Sequence, residues 1–346
     1  MTTGRSMRDR LARLRTGVAL ALLGGSLGLH ALVVLSFVFR WDKAALVTVV
    51  PFFGWCLLGV LLAGLSALFR PTLLFRVLAL VWLATLLLGA DERHGLLYFH
   101  RAAPRPDHVP NNTLRLATFN SHYGGEAGLA VVARWQPDIV FLQEPPAGRL
   151  LQDLARRMYG PQALLVLRHG CAILARGSAF HAIDCQSRFL PAGAMNRVAM
   201  GRLTLADGRQ LDLLNLHLPS AERDTAFWTR SCWRAHAHNR RERRLLLQYD
   251  LSVQTSALAG WPPAPSIVAG DFNAPASDGA IRGLAATHLD SYLSAGSGLG
   301  NTYPAAFPLH RIDQAWLSPE LVAVGQTTVP VPGSDHRMVV VDFAVR

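Results

Sequence analysis

The stretch IVAGDFNAP (267–275) decides how this chain is read. An apolar run leads into Gly270, and an acid, an aromatic and an amide follow before Pro275. In an extended strand, residues i and i+2 project to the same side. Asp271 and Asn273 are therefore expected on one face, with Phe272 packed on the other. Alone, the segment reads equally well as a strand entering a turn, because Asp and Asn form turns through local hydrogen bonds.

The same pattern recurs down the chain from Leu114. Short apolar runs read as strands at 114–120, 139–144, 171–176, 180–185, 198–205, 211–218, 266–273, 312–317 and 338–343, with ADGR (206–209) as a hairpin turn. Helical spacing covers 128–135, 147–158 and 235–258, with a further helix near 277–285. Many strands, few helices and mixed connections predict an α+β domain of two packed sheets with flanking helices. Polar residues sit where the apolar runs stop: Asn120, Glu144, His217, Asp271, Asn273, Asp313, Asp335 and His336. Strand ends at one rim of a sandwich converge, and chemistry is usually grafted there. Hard oxygen donors select Mg²⁺ or Mn²⁺ over zinc. A divalent ion polarises a phosphoryl oxygen, and a carboxylate or imidazole moves the proton of an attacking water. The set is an inventory for metal-assisted phosphate ester hydrolysis.

Six motifs in order, TFN (118–120), PDIVFLQE (137–144), LNLHL (214–218), GDFN (270–273), RIDQAWLS (311–318) and GSDHR (333–337), carry a family likeness. Over about 114–343 the chain resembles the endonuclease/exonuclease/phosphatase (DNase I-like) superfamily. The resemblance implies a four-layer α/β/β/α sandwich and a Mg²⁺ cofactor, with Mn²⁺ as the alternative. It implies Glu144 as the main metal ligand, with Asn120 and Asp335 completing the metal and phosphate environment. Asp271 would align or deprotonate the water, and Asn273 would orient it. Asp313 would hold His336 to stabilise or protonate the transition state, and His217 would bond a phosphate oxygen. The resemblance implies a phosphate ester as the substrate. Within this chemistry a nuclease stands against a phospholipid or sphingomyelin-type phosphodiesterase; a catalytically inactive membrane-tethered binding module is the reading from another class.

The first part of the chain differs in kind. Three apolar stretches, about 17–39, 46–69 and 72–90, each approach the ~20 residues needed to span a bilayer as helix. Together with RAAPRPDHVPNN (101–112) they predict a membrane anchor over 1–94, a linker over 95–112 and a catalytic domain over 113–346. Arg5, Arg8, Arg10, Arg13 and Arg15 precede the first stretch, which places the N-terminus in the cytoplasm by the positive-inside rule. Three crossings make a multi-pass protein of a bacterial inner membrane, with the lipid bilayer as partner and the catalytic domain in the periplasm. No protein partner is expected. The spans offer no polar pathway, which argues against a channel or transporter.

The net charge of +11 is shared almost evenly by the two parts, and Lys43 is the sole lysine. Four cysteines without a CxxC pair argue against zinc. Cys171 and Cys185 read either as two free thiols or as a cross-strand disulfide. The segment 219–245, rich in Trp, His and Arg, reads either as a lid facing substrate or membrane or as a solvated basic helix face. The Gly-rich GSGLGNTYP (296–304) lacks a phosphate-loop pattern and is expected to line the site.

Overall fold

The computed structural model describes residues 3–69, 73–90, 92–184 and 197–346. Two compact units emerge: Met1–Arg93 with Asp224–Ala237, and His94–Arg223 with His238–Arg346.

The first unit is built on the helices α1 (Thr3–Phe39), α2 (Ala45–Val49), α3 (Phe52–Phe69) and α4 (Leu73–Gly89); the short α5 (Glu92–Leu97) follows. The run expected as one span over 46–69 is broken at Pro51. Val50 before it is extended, as a residue preceding proline prefers. Two helices, Met7–Phe39 and Phe52–Phe69, are long and apolar enough to cross a membrane. The third expected span, α4, has 17 residues, about 25 Å of helix at 1.5 Å per residue, against a ~30 Å hydrocarbon core. The Trp82 indole donates to Ser26 Oγ at 3.0 Å, and the His30 ring meets Thr85 Oγ1 at 2.9 Å. The order of these contacts makes α1 and α4 parallel. Gly59 lies against the Trp82 indole and Gly89 against the Phe52 ring, each without room for a Cβ. Small residues let helices approach closely, and here they place the end of α4 beside the start of α3.

The second unit holds two six-stranded sheets. The strands are β1 (Leu114–Asn120), β2 (Ile139–Gln143), β3 (Ala163–Arg168), β4 (Cys171–Arg176), β5 (Ala179–Ile183), β6 (Val198–Thr204), β7 (Gln210–His217), β8 (Ser266–Asp271), β9 (Leu289–Asp290), β10 (Asp313–Leu317), β11 (Leu321–Pro330) and β12 (Arg337–Val345). The helices are α6 (Glu126–Trp135), α7 (Gly148–Tyr159), α8 (Arg230–Ala257), which belongs to this unit from His238 on, and α9 (Ser291–Ala295). One sheet runs β11-β12-β1-β2-β4-β3, the other β5-β6-β7-β8-β10-β9.

Alternation along the strands builds the layers. Leu116, Ile139, Phe141, Leu213, Ile267 and Val341 fill the space between the sheets. Their neighbours Ala117, Val140 and Leu142 turn outward onto Leu129 of α6 and Leu151 of α7. Leu214 and Val268 turn onto Leu246 and Leu247 of α8. The result is helices, sheet, sheet, helix, the expected four-layer sandwich. Near one rim a polar bridge interrupts the apolar middle layer. Gln143 Nε2 donates to Asn215 Oδ1 at 2.6 Å, and Asn215 Nδ2 donates to the carbonyls of Leu142 and Ala172 at 3.0 and 2.8 Å. A buried, paired polar bridge of this kind fixes how the sheets face each other.

Several local expectations change. The helix near 277–285 is a run of turns ending in a short 3₁₀ segment, Leu284–Ala286. Gly279 and Gly283 weaken a helix there, and Asp278 caps the Ala280 N–H at 2.8 Å, a local bond that competes with helix. Three strands lie where the sequence pattern predicts none, among them the two-residue β9. Strand β3 is a partly exposed edge without alternating burial, and the β11 pattern is interrupted by a bulge between Ala323 and Gly325. Cys171 is a buried free thiol; Cys185, the other half of the conceivable disulfide, lies outside the described residues.

Candidate active site

Strand direction gathers the polar ends. Strands β1 and β2 are parallel and end together at Asn120 and Gln143, with Glu144 next. Strands β7 and β8 are parallel and end together at His217 and Asp271. Strand β10 runs antiparallel to β8 and starts opposite its end, Asp313 beside Asp271. Strand β12 runs antiparallel to β1, so Asp335 and His336, just before it, reach the same rim.

At the centre is Asp271, 1% exposed. Its Oδ1 accepts from the Asn273 N–H at 2.9 Å and its Oδ2 from Asn120 Nδ2 at 3.2 Å. Two imidazoles face Oδ2: His217 Nε2 at 3.5 Å and His336 Nε2 at 3.9 Å. His336 is held from behind, its Nδ1 bonding Asp313 Oδ2 at 2.8 Å, and the Tyr303 ring packs 4.9 Å from it. Through Tyr303 the Gly-rich loop at 296–304 lines the site.

The electrostatics separate these groups. Burial raises the Asp271 carboxyl to about 7, and the neighbouring Asp313 adds to the rise. Burial alone would lower His336, but Asp313 outweighs it and lifts the imidazole to about 9. Burial, followed by the nearby Arg197, lowers His217 to about 4. Arg197 Nη1 lies 3.3 Å from His217 Nδ1. A guanidinium only donates, so Nδ1 accepts and Nε2 carries the hydrogen that faces Asp271. At neutral pH the rim holds a cationic His336, a neutral His217 and a carboxyl poised between its two forms. Neighbouring groups with pKa values pushed apart mark acid and base roles.

Glu144 lies to one side, its Oε1 accepting from Arg197 Nη1 at 2.9 Å. Glu144 Oε2 and Asp335 Oδ1 lie 3.5 and 3.7 Å from a single point, His122 Nδ1. The His122 imidazole thus stands between the two carboxylates, and with the Asn120 amide at the neighbouring strand end they supply oxygen donors of the kind a hard divalent cation takes. Asp271, Asp313 and His336 also place potential ligand atoms within 4.8 Å of one another. There, however, His336 Nδ1 is engaged by Asp313 and Asp271 faces four donors, so this cluster reads as proton-handling machinery.

Asn273 departs from the alternation expected of it. The strand ends at Asp271, and Asn273 takes a left-handed φ of 48°. Its side-chain amide donates to the Leu218 carbonyl at 2.9 Å, and only its backbone N–H serves Asp271. Phe272 packs into the core beneath α8, as expected. Glu144 shares the left-handed conformation, with φ 45°. Backbone strain of about 1–3 kcal/mol per such residue clusters at functional sites.

Gly270 has φ 143°, and a Cβ there would overlap the Leu216 carbonyl oxygen. Gly270→Ala is expected to cost about 3 kcal/mol or more from strain and overlap. Chemical denaturation tests this, and a loss below about 0.5 kcal/mol, the level of a neutral surface change, would contradict the close approach.

Sequence reasoning missed Arg197, His122 and Arg243. Arg197 stands immediately before β6, outside the six motifs that carry the family likeness. His122 follows Asn120 by two residues in a turn. Arg243, on α8, donates from Nη1 to the Asn273 carbonyl; in the sequence it is one arginine among many. A salt-bridge partner for Glu144 was the available signal, since a carboxylate at a buried rim needs a cation.

Two sheets whose converging ends hold a buried carboxyl between imidazoles, beside two further carboxylates, fit a phosphate ester hydrolase. The chain belongs to the Endonuclease/Exonuclease/phosphatase family, whose pattern matches residues 117–336. Among solved structures, an endonuclease/exonuclease/phosphatase from Bacteroides vulgatus is 19% identical, with TM-score 0.51, covering 68% of this chain and 99% of that one. The mannosyl-6-phosphatase Bt3783 of Bacteroides thetaiotaomicron is 19% identical, with TM-score 0.49, covering 67% and 99%. D. rerio TDP2 complexed with single strand DNA product is 18% identical, with TM-score 0.47, covering 68% and 100%. No curated protein matches the sequence.

Proposed function

We propose that the chain is a membrane-anchored, Mg²⁺-dependent phosphoesterase that cleaves its ester by direct attack of water. The observation that carries the reading is Asp271, a buried carboxyl poised near neutrality between two imidazoles, one cationic and one neutral. Asp271 takes the proton of the attacking water. Cationic His336, fixed by Asp313, donates through Nε2 to an oxygen of the transition state. Neutral His217 presents its Nε2 hydrogen to a phosphate oxygen, and Arg197 supplies positive charge beside it. Glu144, Asp335 and Asn120 would hold the cation, with Mn²⁺ as a substitute for Mg²⁺. When bound, the ion polarises the phosphoryl group and neutralises charge on the leaving oxygen. Assay of the purified chain with Mg²⁺ against DNA, RNA, phospholipids and soluble phosphate esters tests the reading. Hydrolysis of none of them would sink it; cleavage of phospholipid but not of DNA at low salt would favour the lipid phosphodiesterase over the nuclease.

Proton handling gives a pH signature. The base must be deprotonated, so activity rises as pH climbs through about 7. The acid must be protonated, so activity falls through about 9. A bell with its top between these values is the expected profile of kcat/KM, and His336→Gln removes the alkaline limb. A profile flat from pH 6 to 10 would contradict both assignments.

Membrane anchoring is supported by the outer faces of the helices. Leu20, Leu35, Leu61, Leu68, Leu80 and Leu88 are exposed, a distribution that suits lipid and not water. A 17-residue helix lies at the short end of spanning lengths. Counting α4 as a third crossing puts residues after it on the side of the loop 40–51, which is the periplasm if the Arg-rich N-terminus is cytoplasmic. A reporter fused after Arg346 is then active outside the cytoplasm; activity only in the cytoplasm would leave two crossings, not three.

A further inference from the structure

The tryptophan- and arginine-rich segment left open between lid and solvated helix groups, over Asp224–Ala237, with the apolar helices. Trp233 packs into the same cluster as Val47, Phe52 and Trp55. Its indole donates to the Phe227 carbonyl at 2.7 Å. Cys232 Sγ and His236 Nε2 meet the Asp224 carbonyl at 3.2 and 2.9 Å. The loop from Asp224 to Thr229 is thus fastened to the first turns of α8 and forms a preset wall.

That wall encloses a cleft of about 390 Å³ with Lys43, Trp228, Arg230, Trp233 and Arg234 among its lining. The volume falls in the range of small-ligand sites. Three cations face it, and no acidic side chain lines it among the described residues. Lys43 sits just past the end of α1, where an apolar helix meets water. Aromatic side chains surround the same level: Trp41 stacks on Phe39 at 4.9 Å, while Phe227 and Trp228 are 65% and 77% exposed. Indole rings at this level mark the headgroup zone of a bilayer. Cations that converge there, with no acidic side chain in the lining among the described residues, suit an anion held in that zone.

We propose that this cleft binds the phosphate of an anionic phospholipid headgroup in the leaflet around the Lys43 end of the helices. Arg230 and Arg234 offer forked donors to the phosphate, Lys43 adds a point charge, and the exposed rings of Phe227 and Trp228 enter the interface beside the acyl chains. The site rests on the membrane-anchor reading and is independent of the phosphoesterase chemistry.

The test uses the full chain in phosphatidylcholine micelles. Tryptophan quenching is measured as brominated phosphatidylglycerol or brominated phosphatidylcholine is added. The wild type is expected to respond to phosphatidylglycerol at about tenfold lower mole fraction, as two or more interfacial cations imply. The pair Arg230→Gln and Arg234→Gln loses this preference, and the pair Arg230→Lys and Arg234→Lys keeps most of it. Inorganic phosphate at matched concentration leaves the quenching unchanged. Equal responses to the two lipids, or a preference that survives the glutamine pair, overturn the site. Displacement by inorganic phosphate makes it a soluble-anion site and overturns the lipid as occupant. Flotation with phosphatidylcholine vesicles separates the two readings: a chain that floats without headgroup preference lacks this site alone, and one that stays soluble overturns the anchor and this site together. Neither outcome touches hydrolysis of a soluble ester.

Discussion

Asp271→Asn is expected to lower kcat by about 10²–10⁴-fold, the range of a lost general base, while leaving the chain folded. The substitution keeps the side chain's shape and removes its ability to take a proton. Two effects on stability oppose each other. A fully buried carboxyl, costly to charge, is replaced by a neutral amide. That amide, however, sets an NH₂ group against the Asn120 Nδ2 donor and the His217 Nε2 hydrogen, and each mismatch costs about 1–3 kcal/mol. Thermal melting should therefore shift by only a few degrees, far less than the loss of activity suggests. Steady-state kinetics on a soluble phosphate ester, alongside a melting curve, separate the two. Activity within tenfold of wild type would remove Asp271 from the base role. The variant should also lose the acid limb of the pH profile, because no group near 7 remains to titrate.

Much of this site was legible because strand ends are legible. Asn120, Glu144, His217 and Asp271 were each marked by an apolar run that stops on a polar residue, Asp313 and His336 by a run that starts there, and parallel pairing of β1 with β2 and of β7 with β8, with antiparallel β10 and β12, brings these ends to one rim. The layers followed from alternation: Ile139 and Phe141 go one way, Val140 and Leu142 the other. What escaped lay outside those two signals. Arg197 stands outside the six motifs, and Arg243 reaches the site from a helix far along the chain. Asn273 was read by alternation beyond the point where its strand had ended. The Gln143–Asn215 bridge was hidden because both residues sit inside runs that look like plain core. In the first unit, hydropathy marked the apolar stretches but not the break at Pro51. Nor did it reveal that Asp224–Ala237, distant in sequence, groups with those helices; that association depends on tertiary packing of Trp233, which no local pattern encodes.

Glu144→Ala is expected to lower divalent-dependent turnover by at least about 10³-fold, a loss of roughly 4 kcal/mol in transition-state stabilisation. It is the less exposed of the two carboxylates that face His122, with 16% of its side chain exposed against 49% for Asp335. A less exposed donor loses less of its field to water, so Glu144 is expected to contribute most of the site's attraction for a cation. Its removal also releases Arg197, whose Nη1 then has only the His217 Nδ1 of the two side chains it now reaches. The freed guanidinium is left beside the phosphate position, so substrate binding should weaken little: KM changes by less than kcat. Asp335→Ala, at the more exposed carboxylate, should cost less. Binding of Mn²⁺ followed by electron paramagnetic resonance reads the cation site without reference to turnover, and Glu144→Ala should weaken it by tenfold or more. Unchanged Mn²⁺ binding with lost activity would move Glu144 from the cation to the substrate; unchanged turnover would remove it from the site altogether. A stability loss cannot stand in for either result. Position 144 holds a left-handed backbone whatever its side chain, and alanine there adds only the modest strain common to non-glycine residues in that region.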